Sequence, residues 1–88
     1  MKQDRIELIL VFKKEIGLRK AQNILKEIGA KYREGMDSSR GKKYFYNTGP
    51  KFILTFETAE EKNKFESKYQ GLTEVHEIYA PDWGIQKD

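Results

Sequence analysis

Eighty-eight residues give one domain, close to the lower size at which a single apolar core holds without disulfides or metals. The absence of cysteine excludes a disulfide framework, a thiolate metal site and a thiol nucleophile. The net charge of +3 is unevenly divided: residues 1–51 hold 13 Lys and Arg against 6 Asp and Glu, a net of +7, and residues 52–88 hold 4 against 8, a net of −4. Such asymmetry steers a charged partner and says nothing about fold.

Ile6, Leu8, Leu10 and Phe12 alternate with Arg5, Glu7, Ile9 and Val11, which predicts a first strand with one strongly apolar face. Its apolar run, Leu8 to Phe12, is too short for a signal-peptide core or a membrane span. The expectation is a cytoplasmic protein with no membrane association. After the short connection Lys13 to Gly17, the stripe Leu18, Ala21, Leu25 and Ile28, with Ile24 beside it, predicts a helix closed by Gly29.

The middle admits two readings. Ala30 to Glu34 and Lys42 to Asn47 are both candidates for the second strand, separately or together, split by the glycine-bounded segment Gly35 to Gly41, which reads as a mobile loop. Lys42 to Asn47 is the favoured partner of the next strand, joined to it as a hairpin through Asn47-Thr48-Gly49-Pro50. Phe52, Leu54 and Phe56 then alternate with Lys51, Ile53 and Thr55 in a strand. Thr58 and Glu61 form a capping box, Phe65, Tyr69 and Leu72 recur at helical spacing, and Gly71 stands as the helix stop. Val75 to Tyr79 closes the chain as a last strand, followed by the tail Trp83 to Asp88.

These parts predict a single α+β domain over residues 1–88, a ferredoxin-like β-α-β-β-α-β sandwich with two helices on one face of an antiparallel sheet. Phe12, Leu25, Phe52, Leu54, Phe56 and Phe65 should form the core. Ile9, Val11 and Ile53 should lie among polar residues on the opposite, exposed face, a natural seat for a partner or a second copy.

Catalysis finds little support. His76 is the lone histidine, Ser38 and Ser39 lie in the loop without a nucleophile-elbow pattern, and no spacing of His, Asp and Glu resembles a metal site. Thr58 accounts for Glu61, and solvent accounts for Glu57 and Glu60. The expectation is a non-enzyme with no catalytic residue, metal or cofactor. Gly17-Leu18-Arg19 and Tyr32-Arg33-Glu34-Gly35 are distantly similar to the phosphate loop and amide strand of acylphosphatases. The glycines that would cradle a phosphate are missing, and Glu34 would repel the anionic substrate.

The stretch Gly49 to Phe65 resembles the third strand and following helix of an RNA-recognition motif. That resemblance implies base stacking at Lys51 and Ile53, neither of which carries a ring. An alternative RNA surface comprises Tyr44 and Tyr46 for stacking, with Arg40, Lys42, Lys43 and Lys51 for phosphate.

The order of elements as a whole resembles the subtilisin-propeptide-like inhibitors. The residues that carry it are Ile9 to Lys14, Ile28 to Glu34 and Thr58 to Asp82, with the closing pattern Val75, Ile78 and Asp82. The resemblance implies a ferredoxin-like domain whose tail enters the cleft of a subtilisin-type serine protease while the sheet face supports it. Implied partner-binding residues are Trp83, Gly84, Ile85, Gln86, Lys87 and Asp88 in the tail, and Ile9, Val11, Tyr46 and Ile53 on the sheet. Residues 35–50 are longer than the family's usual connection. A third class of reading is a regulatory homodimer formed through the sheet face or an unpaired edge.

Overall fold

The computed structural model describes residues 6–35 and 41–81. In chain order the elements are β1 (Ile6–Phe12), α1 (Leu18–Ile28), β2 (Tyr32–Glu34), α2 (Gly41–Tyr46), β3 (Lys51–Phe56), α3 (Ala59–Tyr69) and β4 (Val75–Tyr79). The four strands form one antiparallel sheet in the order β2-β3-β1-β4. Among the described residues no helix is long and apolar enough to cross a membrane.

Strand alternation sends Leu8, Leu10 and Phe12 of β1 to the same face as Phe52 and Leu54 of β3, with Leu8 opposite Leu54 and Leu10 opposite Phe52. Ala21 and Leu25 of α1, Val75 and Ile78 of β4, and half-buried Phe65 and Tyr69 of α3 pack onto that face. Phe52 anchors it, met edge-on by Phe12 at 5.9 Å and by Tyr32 at 5.3 Å. Fully burying such a ring is worth about 1.5–3 kcal/mol. Of the expected core, Phe12, Leu25, Phe52 and Leu54 are buried, while Phe56 and Phe65 pack half-buried at its margin.

Local chemistry sets the helix ends. Gly29 adopts a left-handed conformation at φ 82°, and its N–H donates to the carbonyls of Leu25 and Lys26. Thr58 caps α3 by accepting the Glu61 N–H at 3.1 Å. Gly71 is not the left-handed stop its position suggested. The helix leaves through Gln70, still right-handed, whose side-chain amide donates to the Ile78 carbonyl at 3.4 Å and so ties the helix end to β4.

Two expectations are overturned. The partner of β3 is Tyr32–Glu34, with Arg33 opposite Ile53, while the favoured segment beginning at Lys42 is helical. Asn47 and Thr48 explain the difference: the Asn47 amide donates to the Lys43 carbonyl at 2.9 Å and the Thr48 hydroxyl to the Tyr44 carbonyl at 2.8 Å, satisfying the end of α2. The second correction concerns the other sheet face. Ile9, Val11 and Ile53 are buried there as a second small core, with Tyr44 of α2 and Tyr79 of β4 packed against them. Arg33 closes the same face with an ion pair to the nearly buried Glu7 at 3.3 Å.

Candidate partner-binding groove

Gly49 fixes the geometry from which the groove is built. Its N–H donates to the Phe12 carbonyl at 2.8 Å, and a Cβ at this position would lie 2.1 Å from the Lys13 carbonyl oxygen. Only glycine allows that approach. The Phe12 N–H returns a bond to the Pro50 carbonyl at 3.0 Å. The turn thus lies directly on the end of β1, and the last residues of α2 line the same groove as the first residue of α1.

α2 is oriented by Tyr44. Its ring covers the second core, and its hydroxyl donates to the Glu77 carboxylate at 2.6 Å. With Tyr44 turned inward, the helical advance per residue carries Phe45 and Tyr46 away from the sheet. They are exposed at 42% and 64%, and their rings meet edge-on at 5.3 Å. Leu18, at the first position of α1, is exposed at 49%. These three are the exposed large apolar side chains among the described residues, and all three line one open groove of about 600 Å³. Glu34 and Gly35 from the β2 end and Thr48 to Lys51 line the rest of it.

Lys51 supplies the charge. Its ammonium donates to the Gly49 carbonyl at 2.8 Å and sits 4.6 Å from the centroid of the Phe45 ring. Partial burial pushes its pKa below the ordinary lysine value. Among the described residues no carboxylate pairs with it. Glu34, at the end of β2, accepts instead from the Gln22 amide at 3.4 Å.

The residues expected to bind a partner are therefore dispersed. Ile9, Val11 and Ile53 lie inside the second core, and Tyr46 stands in the groove. Of the alternative RNA set, Lys42 and Lys43 are exposed on α2, Tyr44 is turned onto the sheet, and Lys51 is held at Gly49. Arg40 and Trp83 to Asp88 lie outside the described residues. Sequence reasoning missed Leu18, Phe45 and Pro50 as groove residues. Leu18 shares the helical stripe of Ala21 and Leu25, yet at the first position of α1 it is exposed where they are buried.

Gly17 to Arg19 and Tyr32 to Gly35, the two segments with distant similarity to acylphosphatases, each send residues to the groove: Leu18 from one, Glu34 and Gly35 from the other. What they bring is an apolar side chain and a carboxylate. Among the described residues no group of three or more His, Asp or Glu could hold a metal ion. No family model, no curated protein and no solved structure matches the chain.

Proposed function

We propose that this chain is a non-enzymatic, ferredoxin-like module that binds a protein partner through the groove between α1 and α2. The observation that carries the reading is the gathering of Leu18, Phe45 and Tyr46 in one groove, since exposed apolar side chains collected in one place mark interaction surfaces. The ferredoxin-like assignment is supported by the strand order β2-β3-β1-β4 and by α1 and α3 sharing one sheet face. α2 is then an addition to that plan, laid on the other face. The cysteine-free sequence fits a reducing setting such as the cytoplasm.

The test compares proteins captured by the wild-type chain with those captured by a Phe45→Ser, Tyr46→Ser double variant. A captured protein that, once purified, binds the wild-type chain directly and the variant more weakly supports the reading. Identical capture by both baits overturns it.

The partner class that the sequence resemblance suggests is a subtilisin-type protease. Support comes from the C-terminal end alone: β4 is an edge strand, and residues 82–88 follow it in the chain. The buried Ile9, Val11 and Ile53 give a protease no surface. An inhibition titration, with and without Trp83 to Asp88, decides the matter. Stoichiometric inhibition that disappears with the tail supports this partner class. Activity unchanged at excess of the chain excludes it and leaves the groove reading in place.

A further inference from the structure

We infer that the groove takes an acidic peptide segment, seating a bulky apolar side chain among Leu18, Phe45, Tyr46 and Pro50 and placing a neighbouring carboxylate on the Lys51 ammonium. The inference rests on the protein-binding reading and names the chemistry of the partner.

The argument begins with what Lys51 lacks. An ammonium has three donors, and here one is used on the Gly49 carbonyl while the Phe45 ring occupies one side. Neither contact is a counter-charge, and among the described residues no carboxylate supplies one. The depressed pKa reflects the same partial desolvation. A half-buried cation held in fixed geometry at the wall of an apolar groove is preorganised for an anionic group. The apolar side chains set the other half of the requirement, because they gain only from a ligand with its own apolar bulk.

The charges nearby agree with an acidic ligand. Lys42 and Lys43 are exposed on α2, three residues ahead of Phe45 and Tyr46, and add positive charge to the element that carries the groove rings. Glu34 is the opposing charge on the lining, and the Gln22 amide engages it at the β2 end. A partner of like charge to Lys42, Lys43 and Lys51 would be repelled on approach. RNA shares the negative charge, yet the apolar lining of Leu18 and Pro50 offers nothing to a phosphate backbone.

The test is selection of random octapeptides displayed on phage against the immobilised wild-type chain, with counter-selection on the Phe45→Ser, Tyr46→Ser variant. Enriched peptides pairing Asp or Glu with a large apolar residue support the inference. Synthetic versions should then bind Lys51→Met at least about tenfold more weakly than wild type, and Asn or Gln in place of the acid should cost a similar factor. A Lys51→Arg variant, which keeps the charge, should retain most of the affinity and so separates charge from folding. Enrichment of neutral or basic apolar peptides overturns the carboxylate chemistry and leaves the groove reading intact. Absence of any peptide dependent on Phe45 and Tyr46 overturns the inference and counts against that reading as well. Oligouridylate binding that is lost in the Phe45→Ser, Tyr46→Ser variant would reassign the groove to single-stranded RNA.

Discussion

The Tyr44 phenol donates to the Glu77 carboxylate at 2.6 Å, and this bond joins α2 to the edge strand β4 across the second sheet face. Hydrogen bonds to a charged group contribute about 1.5–3 kcal/mol. Tyr44→Phe keeps the ring over Ile9, Val11 and Ile53 and removes the bond. The expected loss is of that order in urea unfolding. Tyr44→Ala also uncovers the second core and should cost more, about 3–5 kcal/mol. Equal losses in the two variants would show that the ring adds nothing.

Gly49→Ala should be among the most damaging single substitutions. The added methyl would meet the Lys13 carbonyl oxygen at 2.1 Å, and relief requires moving backbone that also holds the bond to Phe12. A loss of about 2–4 kcal/mol is expected, read from the shift in denaturant midpoint at unchanged slope.

Thr58→Ala removes the side-chain acceptor for the Glu61 N–H at the start of α3. It should cost about 1 kcal/mol, and Thr58→Asp should restore most of that by accepting the same bond. Amide exchange within the first turn of α3 is the measurement.

Lys51 predicts a pH dependence of definite sign. Burial lowers its pKa in the folded chain, so between that value and 10.5 the unfolded chain holds more protons. Its contribution to stability is therefore unfavourable at neutral pH and improves as pH rises through that window. The stability of wild type minus that of Lys51→Met should rise with increasing pH. The difference cancels the titration of other groups. A flat difference would show that the ammonium is as well solvated as in the unfolded chain.

Much of the architecture was legible because its signals are local. Alternation in Ile6–Phe12 and Lys51–Phe56, the Thr58 cap, and glycine at position 29 each act within a few residues. α2 was not legible, because Lys-Lys-Tyr-Phe-Tyr carries the aromatics of a strand. It is helical through side-chain bonds from Asn47 and Thr48 and through the distant contacts of Tyr44 with Ile9, Val11 and Glu77. One sequence signal did point there. Leu8 to Phe12 is apolar without interruption, the pattern of a strand covered on both faces, whereas a strand open to solvent alternates. Leu8, Ile9, Leu10, Val11 and Phe12 are all buried, and the groove follows from the segment that covers the odd-numbered members.

β1 lies in the middle of the sheet, and among the described residues what pairs with and covers it comes from later in the chain: β3 on one side, β4 on the other, and Tyr44 above. During synthesis β1 emerges before either of its partner strands and waits for residue 79 before both its edges are paired. Such distant pairings slow folding relative to a helical bundle, and the interval is one in which Leu8 to Phe12 can stick to other nascent chains. A fragment ending before Val75 would keep that run unpaired along one edge for its whole lifetime. Chaperone recognition and proteolytic clearance of truncated products should therefore centre on the first strand.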